Sequence, residues 1–404
     1  MLEFDEEKSD TGAIIKVIGV GGAGGNALNT MIDSTLRGVD FIVVNTDIKD
    51  LNKCNAPEKI QIGQALTKGL GTGSDPQLGQ RCAMEDKDKL QSLVEGSDMI
   101  FITAGLGGGT GTGAAPVVAQ LAKDAGALTV AVVTKPFIFE GKPRAANAEN
   151  GIKELKNVVD ALIVVPNQKL LDVVEKNTNI KTAFNKANDI LRQGVQSISD
   201  LIVGTGLIVV DFNDVKTIMS ETGSALMGIG VDTGENRAQR AAEKAISSQL
   251  LEETSIQGAR GILVNISGND DITLHEVDDA MTLIRGSADP DANVIFGVLI
   301  DDSLDEKIKV TVIATGFDSS RKERVTSMDM GSKSNLNLDD ILKNNFEASP
   351  SGRRRRSFTK ANVNNHSSDN ALEEELEIPT FLRTSRRHNG NIVKDSAEES
   401  TANE

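Results

Sequence analysis

The chain has 404 residues and a formal net charge of −16, so it is long enough for two domains with a core each. The acidic balance argues against a nucleic-acid scaffold. Two cysteines and three histidines offer no zinc spacing, disulfide framework or Cys/His dyad, which fits a reducing, cytosolic compartment. No apolar run approaches the ~18 residues of a membrane span, and the acidic residues 1–7 exclude a signal or transit peptide. We therefore expect a soluble protein.

The first predicted element is a buried strand over residues 14–20, followed at once by the glycine segment GVGGAG at 19–24. Residues 25–32 then have a helical pattern. A G-x-G-x-x-G between a strand and a helix is typical of dinucleotide-binding folds. A second strand covers 41–45, and Asp47 beyond it lies close to the position of a ribose-binding acid. Taken alone, this segment favours NAD and a nicotinamide oxidoreductase.

A richer glycine segment, Gly105–Gly113, follows a strand at 99–103 and precedes a helix at 114–123. Strand, glycine loop and helix in this order direct unpaired backbone N–H groups and a positive helix end at a phosphate. The segment has no lysine, so it is not the GxxxxGK[ST] loop. A flexible linker is the alternative, but linkers rarely lie between an apolar strand and an alanine-rich helix. Two phosphate-facing loops suit a triphosphate.

Strands and helices alternate through residue 179. A third glycine-rich connection at 68–76 follows a strand at 59–62, and strands at 128–134 and 161–166 flank a helix at 144–158. This alternation predicts an α/β, Rossmann-like doubly wound sheet with its ligand at the carboxyl ends of the strands. We therefore predict a disordered N-terminus over 1–12 and a nucleotide-binding domain over 13–179.

A long central helix is predicted over 180–203, because apolar residues recur there mostly every three or four positions. By spacing alone, Phe184 belongs to the core face of this helix. Residues 204–318 contain an apolar run at 207–210, helices at 238–251 and 274–285, and strands at 261–266, 293–300 and 308–315. Long strands with few helices predict a second, α+β domain with a mixed sheet.

The remaining residues lack the composition of a folded core. Residues 319–370 are rich in Ser, Asn, Lys and Arg, include Arg353–Arg356, and predict a disordered linker. The tail, 371–404, contains an apolar island at 376–382 between acidic and basic side chains. Such islands are typical of peptides that fold on a partner. Residues 321–404 carry 14 basic and 14 acidic side chains, so the acidic excess lies before them.

Several segments together resemble the tubulin/FtsZ family, and they occur in the family's order. They are GGGTGTG at 107–113, GGAGGN at 21–26, NTD at 45–47, TKPF at 134–137 with Glu140 and Arg144, PN at 166–167 and VDFNDV at 210–215. The island IPTFLR at 378–383 resembles the carboxy-terminal peptide of bacterial FtsZ, which tubulins lack. The match covers residues from about 14 to 318 and the tail peptide. The chain is identified as a member of this family, of the bacterial FtsZ type.

The resemblance implies a GTP-hydrolysing, self-polymerising cytoskeletal protein that forms the division ring at the septum, in the cytoplasm. It implies GTP and GDP as ligands, with Mg²⁺ held mainly by the phosphates. An aromatic face suits a base, and asparagine can pair with a purine edge. The implied nucleotide-binding residues are Gly21, Gly22, Gly24, Gly25, Asn26, Asn45, Gly73, Gly107, Gly108, Gly109, Thr110, Gly111, Thr112, Gly113, Glu140, Arg144, Asn167, Phe184 and Asn188.

The first domain offers no convincing acid to orient an attacking water. The resemblance implies that Asp211 and Asp214 act on the GTP of the next subunit in a head-to-tail polymer, with Asp214 the better candidate. The alternative is that both acids cap the helix that follows. Implied partners are the protein itself and membrane-tethering and regulatory division proteins, with indirect membrane contact and no direct nucleic-acid binding. The tail residues implied in docking are Ile378, Pro379, Phe381, Leu382 and Arg383.

Three positions depart from the family pattern. Val209 stands where Asn is usual, Thr205-Gly206 replaces Pro-Gly, and Asp75 replaces an Asn of the third glycine segment. We expect Val209 to affect turnover more than the fold, and Asp75 to add negative charge near the γ-phosphate. One alternative function is a tubulin-like nucleotide-binding scaffold with little turnover. Another is the NAD-dependent oxidoreductase, for which the lone His275 is poor material.

Overall fold

The structure is a computed structural model that describes residues 12–34, 36–171, 178–204, 206–220, 223–248 and 256–317. The chain divides into two compact units, Met1–Lys333 and Ser334–Glu404, and every described residue belongs to the first. The predictions for residues 1–11, for the linker and for the tail peptide lie outside the described residues, as does Thr205.

The described residues form a sheet of 11 strands covered by helices. The strands are β1 (Ile15–Val20), β2 (Asp40–Asn45), β3 (Glu58–Gln61), β4 (Met99–Gly105), β5 (Leu128–Lys135), β6 (Ala161–Pro166), β7 (Gly206–Ile208), β8 (Gly223–Thr233), β9 (Gly261–Gly268), β10 (Asn293–Ile300) and β11 (Lys307–Thr315). The helices are α1 (Gly21–Asp33), α2 (Ile48–Lys53), α3 (Gln64–Thr67), α4 (Pro76–Glu85), α5 (Lys87–Val94), α6 (Thr110–Asp124), α7 (Lys142–Val158), α8 (Asn167–Leu170), α9 (Ile180–Val203), α10 (Phe212–Met219), α11 (Arg237–Ile246) and α12 (Leu274–Ser287). Short 3-10 helices cover Ile138–Glu140 and Asp302–Leu304.

The amino-terminal half of the sheet is parallel, as predicted. Its order is β3-β2-β1-β4-β5-β6, and all of these pairings are parallel. Apart from the edge strand β3, these strands are nearly continuous apolar runs because helices cover both faces, and every residue of β4 except Gly105 is buried. The strand order reverses between β1 and β4, which is where folds of this kind open a crevice for a ligand.

The carboxy-terminal half is the predicted mixed sheet. Strand β11 pairs antiparallel with β8 and β9, β9 pairs parallel with β10, and β10 pairs antiparallel with the edge strand β7. Helices α11 and α12 cover one face and share a core with β9, β10 and β11. Among the described residues, no helix has both the length and the apolar character needed to cross a bilayer.

Strand β8 joins the two halves and was not predicted from the sequence. It pairs in parallel with β6 over three residues, Gly223–Ala225, and antiparallel with β11 over the rest of its length. Its glycines obscure the strand pattern, but they have a packing role, since a Cβ at Gly228 or Gly230 would overlap the backbone of α11. Glycine within a strand often marks such a close approach.

The long helix α9 has the predicted bounds and packs between the two halves. Leu191 and Val195 are buried in one cluster with Val132 of β5 and Leu263 of β9. The amino-terminal turns differ from the spacing-based expectation, because Phe184 is 39% exposed and Ile180, at the helix start, is 71% exposed. The apolar stripe therefore becomes a core face only after the first two turns.

Helices α1 and α6 begin earlier than predicted. They start at Gly21 and Thr110, inside the glycine segments, rather than near residues 25 and 114. Glycine has low helix propensity, which argued for loops there. Close backbone contact explains why glycine occupies these helical positions, since a Cβ at Gly111 would lie 2.8 Å from the carbonyl oxygen of Gly105.

Candidate functional site

A cavity of about 590 Å³ opens at the carboxyl ends of the parallel strands, around the β1/β4 reversal. Fourteen of the predicted nucleotide-binding residues line it: Gly21, Gly22, Asn26, Asn45, Gly73, Gly108, Gly109, Thr110, Gly111, Glu140, Arg144, Asn167, Phe184 and Asn188. They come from the ends of the six strands β1–β6, or the connections after them, and from α9. The fold thus brings together residues that are far apart in the sequence.

The amino termini of two long helices border this cavity without side-chain caps. Helix α1 begins at Gly21 and α6 at Thr110, and neither has a capping side chain or an acidic residue in its first turn. The first N–H groups of a helix have no partner within it and carry a partial positive charge. The cavity is therefore equipped at two places for an anion such as phosphate.

Close backbone contact holds the two glycine segments together. Gly21 has φ +74°, and a Cβ there would lie 2.9 Å from the amide nitrogen of Gly111. Next to this contact, the buried hydroxyl Oγ1 of Thr110 lies 2.7 Å from Oγ1 of Thr46 and 3.3 Å from Oγ1 of Thr72. These contacts connect the end of β2, the third glycine segment and α6.

The third glycine segment, residues 68–74, forms another wall. Five of its seven residues have positive φ: Lys68, Gly69, Gly71, Gly73 and Ser74. The backbone amide of Ile48 donates to the carbonyl of Gly69 at 3.2 Å, and Nδ2 of Asn147 donates to the carbonyl of Ser74 at 3.3 Å. The segment is therefore fixed against α2 and α7.

The side chain of Asp75, next to the lining residue Ser74, caps a helix. It is not among the residues that line the cavity, and its Oδ1 accepts hydrogen bonds from the amides of Gln77 (2.9 Å) and Leu78 (3.3 Å). The side chain caps α4, which begins at Pro76. Asp followed by Pro at a helix start is a capping signal, so the sequence did contain this information.

An ion pair whose two members both line the cavity lies at its edge. The guanidinium of Arg144 lies 2.6 Å from Oε2 of Glu140, and Oε1 of Glu140 accepts from the amide of Phe137 at 3.0 Å. Among the described residues that line the cavity, Arg144 is the only one with a basic side chain. Most of the positive potential available to an anion there comes from backbone groups.

A flat aromatic face and two carboxamides occupy the end of the cavity formed by β6 and α9. The ring of Phe184 meets that of Phe137 edge-on, at 5.4 Å between centroids, and Phe137 in turn stacks on Phe139. Asn167 is 5% exposed, and its Oδ1 is buried without a hydrogen-bond partner. A buried polar atom without a partner is costly, so this one suits a ligand.

Five predicted residues do not line the cavity. Gly24 and Gly25 lie on the covered side of α1, Gly113 packs against α4, and Oγ1 of Thr112 accepts from the amide of Gly107 at 2.9 Å. They shape the cavity from behind. Several other residues line the cavity but were not among the predicted nucleotide-binding residues, including Asp47, Asp50, Thr72, Ser74 and Thr134. Their positions just beyond strands, or inside the third glycine segment, were the available signal.

Asp211 and Asp214 lie outside this cavity in the same chain, and both are exposed. Oδ1 of Asp211 accepts from the amide of Asn213 at 3.0 Å and caps α10, whereas Asp214 lies in the first turn and caps nothing. The capping alternative therefore holds for Asp211 alone. Residues 207–209, which precede them, are exposed and apolar.

A second cavity, of about 900 Å³, lies between α1, α9 and the carboxy-terminal strands. It contains none of the predicted site residues. Burial raises the pKa of Asp200 to about 6, and burial also lowers the pKa of Lys309, which lines the same cavity. Within the described part of the chain, no cluster of three His, Cys, Asp or Glu side chains could hold a metal ion.

Comparisons with known proteins agree with this geometry. Residues 14–175 match the Tubulin/FtsZ family, GTPase domain, and residues 223–318 match the FtsZ family, C-terminal domain. An empty FtsZ dimer from M. jannaschii is 43% identical, with a TM-score of 0.74, over 77% of this chain and 90% of that one. A mutant of M. jannaschii FtsZ is 42% identical, with a TM-score of 0.73, over 76% and 92%.

A more distant structure shares the fold. The GDP-bound monomer of CetZ1 from Haloferax volcanii is 24% identical, with a TM-score of 0.67, over 75% of this chain and 94% of that one. The two domain matches and the identity to FtsZ argue against the alternative of an NAD-dependent oxidoreductase. The chain belongs to the Tubulin/FtsZ family, with that family's GTPase domain and an FtsZ-type C-terminal domain.

Proposed function

We propose that this protein binds GTP in the 590 Å³ cavity and hydrolyses it when a second subunit, stacked head to tail, completes the active site. The observation that carries the proposal is the meeting of two uncapped helix amino termini at one cavity. Two such ends suit a chain of phosphates. The FtsZ of M. jannaschii was solved as a dimer, which supports self-association.

The lining residues suggest one orientation for the nucleotide. Gly21, Gly22 and Gly108–Gly111 hold the phosphates, and the Glu140–Arg144 pair lies beside the ribose or phosphates. Phe184 stacks on the base, and the two carboxamides pair with its edge. Mg²⁺, if held mainly by the phosphates as we propose, would neutralise charge that builds up during phosphoryl transfer.

The cavity's own carboxylates are already engaged, which is why a second subunit is needed. Glu140 pairs with Arg144, Asp47 caps α2, and Asp50 lies 2.9 Å from Nζ of Lys53. Asp214 is exposed and makes no cap, so it is free to enter a neighbour's cavity. There it orients the attacking water or the cation. This heterologous contact extends into a filament.

The wider role that we propose is the division ring at the septum, in the cytoplasm. The support is the resemblance of the tail island to the FtsZ carboxy-terminal peptide, and it lies outside the described residues. In this role Ile378, Pro379, Phe381, Leu382 and Arg383 bind membrane-tethering and regulatory proteins, so that membrane contact is indirect. Arg353–Arg356 then belongs to a solvated linker.

The variant Asp214→Asn tests the composite site. We expect it to bind GTP and assemble with Mg²⁺ while phosphate release falls by about 10²-fold or more, because the amide is a poor base and a weak cation ligand. Asp278→Asn, an exposed acid on α12, serves as the matched control. Phosphate release from Asp214→Asn at the parent rate would overturn the proposal.

A mixing experiment separates a composite site from a site within one chain. Asp214→Asn keeps an intact cavity, whereas Gly111→Ala disturbs the cavity wall, because the added Cβ would lie 2.8 Å from the backbone carbonyl oxygen of Gly105. Equal amounts of both variants should recover part of the phosphate release, because some interfaces combine two intact halves. Hydrolysis equal to the sum of the separate variants contradicts a shared site.

The scaffold alternative makes a different prediction for the parent protein. Val209 is 51% exposed in the segment before Asp211, where it alters the surface offered to a neighbour. GTP binding and assembly with almost no phosphate release would favour a scaffold with little turnover. Sustained release that stops below the assembly threshold favours the polymer-coupled GTPase.

A further inference from the structure

Helix α10 carries an unused carboxamide directly before Asp214. Asn213 is exposed, and its side chain makes no hydrogen bond to any described residue. Its backbone, in contrast, is held on both sides, because its amide donates to Oδ1 of Asp211 at 3.0 Å and its carbonyl accepts from Oγ1 of Thr217 at 2.8 Å. The first turn of α10 is thus fixed in place while the two N–H donors of the carboxamide remain available.

The buried face of α10 determines where this carboxamide points. Val215, Ile218 and Met219 are buried, and Val215 and Met219 belong to the core cluster shared with β9. Because successive residues of a helix differ by about 100°, Asn213 lies opposite this face and Asp214 lies at its edge. Side chains of a helix also lean toward its amino terminus. Both are therefore offered to a molecule that contacts the start of α10.

The segment that precedes Asp214 supplies hydrogen-bond donors at one position. Residues 207–210 and Phe212 are apolar, and the carboxylate of Asp211 only accepts. Along residues 207–214, all of which the structure describes, Asn213 has the only side chain that donates. Lys216 lies about 200° around the helix from Asp214, which places it on nearly the opposite side. The carboxamide is therefore the donor next to the free acid.

The chemistry of the proposed site needs a donor of this kind. Asp214 brings a negative charge to a phosphate chain that is already anionic. Among the described residues that line the cavity, Arg144 has the only basic side chain, and it lies 2.6 Å from Glu140. A positioned neutral donor stabilises the charge on the transferring phosphoryl group without changing its own charge.

We propose that Asn213 is a further catalytic residue of the composite site, whose carboxamide donates to an oxygen of the neighbouring subunit's γ-phosphate while Asp214 orients the water. This inference rests on the proposed function. Water adds to the γ-phosphorus, the bond to the β–γ bridging oxygen breaks with its electron pair passing to GDP, and one water proton passes by way of Asp214 to solvent. Asn213 transfers no proton and stays neutral throughout.

Two substitutions of Asn213 test the role of the donor. In Asn213→Ala, phosphate release per assembled subunit should fall by about 10- to 100-fold, because one hydrogen bond to a charged group is lost. Asn213→Asp should be slower still, and added Mg²⁺ should narrow its difference from Asn213→Ala, since the new carboxylate repels the phosphates. A structural role for this exposed side chain would produce neither that order nor that response to Mg²⁺.

Asn157→Ala provides the matched control, because Asn157 is an exposed asparagine on α7 outside the cavity lining. Its phosphate release should equal that of the parent. A parent rate in Asn213→Ala beside a loss in Asp214→Asn overturns the inference and leaves the proposed function intact. Parent rates in both variants overturn the inference and the proposed function together.

Mixing shows whether Asn213 acts on the neighbouring subunit. Equal amounts of Asn213→Ala and Gly111→Ala should recover part of the phosphate release, because some interfaces then combine an intact cavity with an intact start of α10. The mixture also provides the test if Asn213→Ala assembles poorly by itself, since Gly111→Ala supplies the missing carboxamide. Absence of recovery under conditions in which Asp214→Asn recovers with the same partner variant overturns the inference.

Discussion

Individual glycines of the segment Gly105–Gly113 have separate roles that the sequence pattern alone does not distinguish. A Cβ at Gly113 would overlap the backbone carbonyl of Pro76, so this glycine permits the contact between α4 and α6. Gly108 has open space around its Cβ position and lines the cavity. One glycine therefore serves the fold and the other serves the site.

This difference can be measured with two alanine variants. Gly113→Ala should lower the free energy of unfolding by about 1–3 kcal/mol, because the added methyl overpacks a rigid contact. Gly108→Ala should change it by less than about 0.5 kcal/mol but weaken GDP binding, since the methyl enters the cavity. Urea unfolding followed by circular dichroism suits a chain without Trp or Tyr. Equal unfolding midpoints for both variants would contradict this assignment.

The sequence predicted the place of the site better than the role of each side chain. Glycine segments after strands located the cavity, because only such segments allow close backbone contact. Spacing placed Phe184 in the core, since an apolar side chain at a helical interval has the same pattern on a core and on a ligand-facing wall. Asp75 and Asp211 cap helices, and at position 75 the following proline was the local signal.

At the level of elements, α9 carries an acid whose ionisation opposes folding. Burial raises the pKa of Asp200 from 3.8 to about 6, although Lys309 and Arg192 oppose that rise and Asp301 adds to it. The folded state binds this proton more tightly than the unfolded chain. Its contribution to stability is therefore fully present below pH 3.8 and is lost as the pH rises through about 6.

Replacing this acid should stabilise the protein at neutral pH. Asp200→Asn is expected to raise the free energy of unfolding at pH 7.5 by about 2–3 kcal/mol and to have little effect near pH 4, because a neutral amide needs no proton. Urea unfolding at both pH values measures this. The exposed Asp278→Asn is the control. A gain of the same size at both pH values would contradict the ionisation argument.

The glycine-rich elements that the sequence missed share one cause. Strand β8 and the first turns of α1 and α6 are rich in glycine, whose local preference is for loops. In each case glycine is required by a neighbouring backbone, α11 for β8 and Gly105 for α6. That neighbour is distant in the sequence, so a local pattern could not reveal it. The apolar strands and α9, whose patterns arise from their own burial, were predicted correctly.

At the level of the whole molecule, two of the places with exposed apolar side chains are distant from each other. Ile138 is 75% exposed beside the cavity, next to Phe139 at 66%. Leu207 is 68% exposed on β7, the edge strand at the far end of the sheet order. Such surfaces mark contacts with other molecules when they are grouped. In the assembly that we propose, they would lie at the two ends of each subunit.

Polar substitutions should weaken that assembly without affecting the fold. Ile138→Ser and Leu207→Ser are expected to raise several-fold the protein concentration at which light scattering begins with GTP and Mg²⁺, because less apolar area is buried between subunits. Ile14→Ser removes an exposed side chain just before β1, at the opposite ends of the strands from the cavity, and serves as the control. Unchanged thresholds in both variants would exclude these side chains from the contact.

The bare starts of α1 and α6 have a consequence for what counts as part of this protein. Three other α-helices begin with a capping aspartate, which is Asp47 for α2, Asp75 for α4 and Asp211 for α10. At α1 and α6 no side chain caps the helix start, so a bound anion can accept the hydrogen bonds of the first amides. An anion bound between them substitutes for two missing side chains at once. Ligand binding and the capping of these two helices are then a single event.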